Sequence, residues 1–246
     1  MKLCIVIPNY NHTQVIADVI AELEPMGLDI VMVDDGSAAS AQHYLQQLSE
    51  RFDCLHLLRH QVNGGKGAAV QTGLRWAYAQ GYTHALQVDA DGQHCLADMQ
   101  KLIAKAKAHP HCLISGRPVY DESVPKHRYL SRYITHFWVW VETLSLSIKD
   151  SMCGFRVYPL APCIALFDSR ALGTRMDFDI EVMVRLYWRG VPSLFIDTQV
   201  IYPEQGVSHF QPLHDNLKIS WLHTRLFFAM LPRLPKLLLR KPRVDS

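Results

Sequence analysis

Two carboxylates stand one residue apart at the end of the apolar run HALQVDADGQH, His84 to His94. At a strand tip, Asp89 and Asp91 place their oxygens near one point. Hard oxygen ligands of this kind suit Mg²⁺ or Mn²⁺, which usually keep substrate phosphates in their coordination shell. A diphosphate is the natural charge for such a site to bridge. The glycine loop NGGKG, Asn63 to Gly67, adds backbone amides and Lys66 at the start of a helix, where an anion is favoured. It is not a P-loop, because Gly67 replaces the required Ser or Thr, and G-x-G-x-x-G is also absent. Asp179 and Glu181 in MDFDIEVMVR offer a general base for a hydroxyl nucleophile. Two apart on a helix, they point in different directions, and first-turn acids are also explained by the helix dipole alone. Taken singly, the D-x-D is matched by solvated loop acids and the glycine loop by a tight turn.

The elements around these residues strengthen the reading. LCIVI, LDIVMV, CLHLL, HALQVDADG and CLISG have the pattern of short buried strands, separated by helical stretches. The first helix follows Thr13, with Val15, Ile16, Val19, Ile20 and Leu23 on one face. Strands alternating with helices imply βαβ units and a mainly parallel sheet flanked by helices, an α/β fold. Ligands of such sheets sit beyond the carboxyl ends of the strands. Asn9 and Asn11, Asp34 and Asp35, Gly64 to Gly67, and Asp89 with Asp91 all fall at strand ends. After Gly116 the pattern changes to a long segment, RYLSRYITHFWVWVETLSLSI, read as a helix whose Phe137, Trp138 and Trp140 are expected in the core. DSMCGFRVYP reads as turn-rich, FDIEVMVRLYWRG as a helix and PSLFIDTQVIYP as a strand.

Composition narrows the classes. The 246 residues are nearly half hydrophobic, enough for a sizeable core, and the net charge of +2 argues against a dedicated nucleic-acid binder. Six cysteines form no C-x-x-C pair, so they read as buried thiols of a reducing compartment. The N-terminal apolar run is too short for a signal peptide, and no apolar stretch reaches the ~18 residues of a spanning helix.

VIPNYNH, VMVDDGS, NGGKGAAVQTG, VDADGQH, SGR, DSMCGFRVY, FDIEVMVRL and GVSHF, in that order over about residues 3 to 210, resemble the inverting glycosyltransferases of family 2 with the GT-A fold. The branch of dolichol-phosphate mannose synthases and other polyprenyl-phosphate glycosyltransferases is the most similar. The resemblance implies that Pro8, Asn9 and Tyr10 line the nucleobase pocket and that Asp35 and Lys66 lie near base and ribose. Asp89 and Ala90 would contact a UDP- or GDP-sugar. Asp89, Asp91 and Gln93 would hold Mg²⁺ or Mn²⁺, with Asp91 catalytic. Arg117, Arg132 and His209 would meet an anionic lipid acceptor. His12 stands where the synthases usually carry glutamate, and His209 where a lysine is common. A phosphate acceptor is already ionised; a hydroxyl acceptor would require Asp179 or Glu181 as base.

Residues 211–246 read as a basic amphipathic appendage to a 1–210 catalytic domain. Trp221, Leu222, Leu226, Phe227, Phe228 and Met230 alternate with Lys218, Arg225, Arg233, Lys236, Arg240, Lys241 and Arg243, and acids are absent between Asp215 and Asp245. Such a segment suits the surface of an anionic leaflet, while Pro232 and Pro235 break it too early for a spanning helix. The expectation is a cytoplasmic enzyme of the cell envelope, peripheral on the inner face of the membrane. The competing classes are a nucleotidyltransferase, disfavoured because PNYNH is not a basic glycine-rich loop, and a non-catalytic nucleotide-sugar binding protein.

Overall fold

The computed structural model describes residues 1–119, 126–199 and 212–240. In chain order the elements are β1 (Leu3–Asn9), α1 (Ile16–Leu23), β2 (Ile30–Asp34), α2 (Ala39–Arg51), β3 (Leu55–Arg59), α3 (Lys66–Ala79), β4 (His84–Gln87), α4 (Met99–Ala108), β5 (Leu113–Val119), α5 (Lys126–Thr143), β6 (Arg156–Pro159), α6 (Leu160–Ser169), α7 (Asp177–Trp188), β7 (Ser193–Gln199), α8 (Pro212–Met230) and α9 (Leu234–Leu238). The seven strands make one sheet in the order β3-β2-β1-β4-β6-β5-β7.

β1 and β2 are buried along their whole length, which is why they read as unbroken apolar runs rather than alternating ones. One face of the sheet is covered by α1, α2 and α4 through Ile16, Ile20, Leu45, Leu48, Met99 and Leu102. The other is covered by α3, α6, α7 and α8 through Val70, Leu74, Leu166, Phe178, Val182, Leu222 and Leu226. Of the α1 stripe anticipated from sequence, Ile16, Val19, Ile20 and Leu23 are buried, while Val15 is half-buried just before the helix.

The chain runs outward from β1 to β2 and β3, then returns through α3 to lay β4 on the other side of β1. All four strands are parallel, so their carboxyl ends share one edge. The reversal beside β1 opens the crevice at which ligands of such sheets bind. Register places Asn9 beside Asp34, and Asp34 beside Arg59.

Two elements differ from the sequence reading. The stretch read as turn-rich contains β6, which runs antiparallel between β4 and β5, and α6 follows it directly. The aromatic cluster of α5 also differs: Phe137 is 54% and Trp138 38% exposed, so neither is core, while Trp140 is half-buried and donates to the Ile148 carbonyl at 2.8 Å. Pro232 and Pro235 do end the long C-terminal helix: a single 3₁₀ turn at Leu231–Arg233 separates α8 from the short α9.

Candidate active site

The floor of the crevice consists of polar side chains that satisfy the chain's own backbone. Asn9 is buried, donates to the His12 carbonyl at 2.9 Å and accepts the His12 N–H at 3.2 Å. Asn11, at a φ of 58°, receives the Ala38 N–H, and its own N–H is received by Ser37 Oγ, so the loops after β1 and β2 are stitched together. Asp34 is fully buried and accepts the Ser37 N–H and Arg59 Nε. Asp35 accepts the Gly64 N–H at 2.9 Å and the Gly65 N–H at 2.7 Å, and lies 2.7 Å from His60 Nδ1. The anion facing the glycine-loop amides is therefore the protein's own carboxylate. Gly65 sits at a φ of 99°, and a Cβ there would stand 2.5 Å from the Thr174 carbonyl oxygen.

Lys66, the first residue of α3, reaches from this loop into the crevice. Its Nζ lies 2.8 Å from Asp89 Oδ2 and 3.4 Å from Asp179 Oδ2. The positive group that lets a strand tip carry acids is thus a lysine. Burial would lower the ammonium pKa, but the charges of Asp179 and Asp89 outweigh it and hold Lys66 protonated, well above its usual value. Burial works against the ionised Asp89 likewise, and the Lys66 charge with His94 holds its carboxyl well below the usual range.

Partners from β4, β6 and the loops beside them fix this pair. Gln87 Nε2 donates to Asp89 Oδ1 at 3.0 Å, and Gln87 Oε1 accepts Tyr158 OH at 3.1 Å. His94 Nε2 is 3.4 Å from Asp89 Oδ2, and its ring stacks on Phe155 at 4.7 Å. Arg156, fully buried on β6, donates to the backbone carbonyls of Asp179 and Ser151 at 2.7 Å each and lies 3.8 Å from Asp179 Oδ1. Gly154 leaves the space that the pair fills: a Cβ there would come within 2.8 Å of Lys66 Nζ and 2.9 Å of Asp89 Oδ2. Gln87, His94, Gly154 and Arg156 received no role from the sequence reading, although all four lie inside the quoted stretches.

The remaining anticipated residues divide. Pro8 and Ala90 are buried at the crevice strands, and Tyr10 is half-buried just beyond β1. Asp91 accepts the Gln93 N–H at 3.0 Å, which puts Gln93 over the D-x-D turn. Asp179 joins Lys66, whereas Glu181 is bound elsewhere: its oxygens face Arg185, Gly173 and Arg225. Arg117 makes a bidentate pair with Asp197 at 2.6 and 2.8 Å on the neighbouring strand. Arg132 Nε donates to Asp150 at 2.7 Å. His209 lies outside the described residues.

Asp89, Asp91 and the Gln93 amide are the residue types that could offer hard oxygens to Mg²⁺ or Mn²⁺ together with phosphate oxygens. Two buried atoms beside it make only long charged contacts, His94 Nε2 with Asp89 at 3.4 Å and Asp179 Oδ1 with Arg156 at 3.8 Å, and neither has a well-formed hydrogen bond. Among the described residues no three His, Cys, Asp or Glu side chains form a closed metal cage. An open site of two carboxylates completed by substrate fits these residues better.

Comparison with known proteins agrees with this geometry. A dolichyl-phosphate beta-glucosyltransferase of Trichomonas vaginalis is 32% identical over 165 residues, covering 63% of this chain and 49% of the relative, so the chain spans about half that relative's length. An undecaprenyl-phosphate mannosyltransferase of Micrococcus luteus is 22% identical, covering 81% of this chain and 86% of its own. Among solved structures, a mannosyltransferase of Pyrobaculum calidifontis in complex with GDP-mannose and Mn²⁺ superposes with a TM-score of 0.60 at 16% identity, over 94% of this chain and 64% of that one. The glycosyl transferase family 2 model matches residues 4–174, a span that runs from β1 through the crevice to the loop before α7. By that match, the chain belongs to glycosyltransferase family 2.

Proposed function

We propose that the protein transfers a sugar, with inversion, from a UDP- or GDP-sugar to a polyprenyl phosphate at a membrane surface. The donor diphosphate would lie in the crevice against Lys66 and the D-x-D turn, with the base held near Pro8, Asn9, Tyr10 and Asp35. Asp89, Asp91 and Gln93 would hold a divalent ion, which would supply positive charge against the leaving diphosphate. Lys66, released toward the phosphates, would add an ammonium from the other side.

The observation that carries the acceptor class is the state of the two α7 carboxylates. Asp179 is the counter-ion of Lys66 and Arg156, and Glu181 is sealed within its own partners. Neither is open to take a proton from a hydroxyl. An acceptor that arrives ionised needs no base, only cations. Arg117 would be the first of these: its ion pair with Asp197 is exposed, and such pairs exchange at little cost. The names of the two relatives, both acting on polyprenyl phosphates, support the same class.

The membrane reading rests on α8 and α9. Leu217, Trp221, Phe228, Leu238 and Leu239 are exposed beside Lys218, Arg225, Lys236 and Arg240. Among the described residues no helix is long and apolar enough to cross a bilayer, so contact would be interfacial, on the anionic inner leaflet.

The test is transfer from UDP- and GDP-sugars to a short polyprenyl phosphate and to the matching alcohol. Wild type should use the phosphate alone, and Asp179→Asn should retain measurable transfer to it. Transfer to the alcohol, lost by about 10²–10⁴ in Asp179→Asn, would replace this reading with base catalysis on a hydroxyl.

A further inference from the structure

Glu181 is fully buried, yet its carboxylate has a distinct partner for each oxygen. Oε1 accepts Arg185 Nε at 2.7 Å and lies 2.6 Å from Arg185 Nη2. Oε2 accepts the Gly173 N–H at 2.7 Å and lies 3.7 Å from Nη2 of Arg225 on α8. A buried charge carries a desolvation penalty that an apolar side chain of the same size avoids. What the charge adds here is a fixed position for the backbone it binds.

That backbone lies over the glycine loop. Next to Gly173, the Thr174 carbonyl accepts the Ala68 N–H at 3.0 Å, an N–H that it shares with the Gly65 carbonyl at 2.9 Å. Gln71 Nε2 donates both to the Gly67 carbonyl at 3.1 Å and to the Gly173 carbonyl at 3.2 Å. Gly65 approaches the Thr174 carbonyl too closely for any side chain. The height of the Gly173–Thr174 segment therefore sets the first turn of α3, and with it the origin of the Lys66 side chain between Asp89 and Asp179.

We propose that Glu181 is a positioning residue: it holds the Gly173–Thr174 segment on the glycine loop and so fixes Lys66, and Arg225 makes this seat depend on how α8 is docked. The donor site is thereby joined to the helix that bears the basic, apolar surface. The inference rests on the reading of the Lys66 cluster as the donor site.

Hydrogen exchange at the Ala68 amide tests the seat in the full chain, because that amide is shared between the Thr174 and Gly65 carbonyls and loses one of its two partners when the segment lifts. Glu181→Gln and Gln71→Leu should each speed exchange at Ala68 by about tenfold or more, and Arg225→Ala by about two- to threefold. Calorimetry with UDP and GDP, each with Mn²⁺, should show Kd rising in the same order, and kcat/KM for the donor should fall in parallel with it. Unchanged Ala68 protection in Gln71→Leu and Arg225→Ala, or in a folded Glu181→Gln, overturns the proposal. So does a Glu181→Gln variant that loses kcat while Kd and Ala68 protection hold, since that is the signature of a base. If wild type binds neither nucleotide, the donor-site reading fails, while Ala68 exchange still decides the positioning role.

Discussion

The strand-end crevice and the α5–α8 face are inverted images of ordinary protein architecture. In the crevice and behind it, Asn9, Asp34, Asp35, Asp179 and Glu181 are buried polar groups. On the outer face, Tyr133, Ile134, Phe137 and Trp138 of α5 and Trp221 and Phe228 of α8 are exposed apolar ones. Burying a polar group is costly unless it is bonded, and each of the five has bonded or ionic partners. An exposed apolar patch has no such internal remedy; it is relieved only by something outside the chain. The first is a fixed assembly of internal bonds; the second is the surface that the proposed membrane contact would cover.

The comparison breaks most completely at the D-x-D turn. Asp91→Asn should reduce transfer by at least ~10²–10³ with the melting temperature nearly unchanged, because a neutral amide is a far poorer ligand for a hard divalent cation. Excess EDTA should reproduce the loss in wild type; full activity in chelator would remove the metal from the crevice. Gly154→Ala comes next. Its Cβ would strike Lys66, Asp89 and Gln87 at 2.5–2.9 Å, all at side-chain ends that are pinned by each other. Transfer should fall by about 10² and nucleotide affinity with it, while stability changes by only ~1–2 kcal/mol; wild-type kinetics would show that the cluster need not be rigid.

A smaller effect tests the bonded-interior principle away from the crevice. Burial alone would raise the Asp150 carboxyl, but His136 and Arg132 together hold it well below the usual carboxylate range. A depressed native pKa contributes stability above the unfolded value of about 4, and that contribution is lost as pH falls toward the native one. The Tm gap between wild type and Asp150→Asn should therefore be widest near neutrality, where it corresponds to roughly 2–3 kcal/mol, and should narrow steadily below about pH 4. A gap independent of pH would assign the loss to backbone bonding at Met152 and Cys153 instead. Least of all should Phe137→Ser with Trp221→Ser disturb the fold, since exposed substitutions usually stay within about ±0.5 kcal/mol. Flotation with anionic vesicles should nonetheless drop sharply, and undiminished flotation would mean that the aromatic face is not what touches lipid.

The site was partly legible in the sequence because strand ends are punctuated by residue type. Asp34–Asp35, Gly64 to Gly67 and Asp89–Asp91 each follow an apolar run long enough to recognise, and the topology brings them to one edge. The opposed directions of Asp179 and Glu181 also followed from helical spacing. β6 did not: RVYP is four residues, begins with an arginine and ends with a proline, and only its neighbours β4 and β5 make it a strand. α6 carries Pro162 in its first turn, where proline is tolerated but mimics a loop signal. The exposure of Phe137 and Trp138 was missed because an aromatic stripe is the same in sequence whether it faces a core or the surface.

The antiparallel direction of β6 has a consequence for how this chain can vary. β5 leaves the crevice edge at Val119, and β6 re-enters the sheet at that same edge, beside it, at Arg156. Everything between, α5 included, is an excursion whose two ends meet adjacent strands at one border. Its length and contents can change without shifting the register of any strand. On the proposed reading that Arg132 meets the acceptor, a chimera that swaps only residues 120–148 would alter what the enzyme modifies, while Gly154 and Phe155, which shape the Lys66–Asp89 cluster, stay in place.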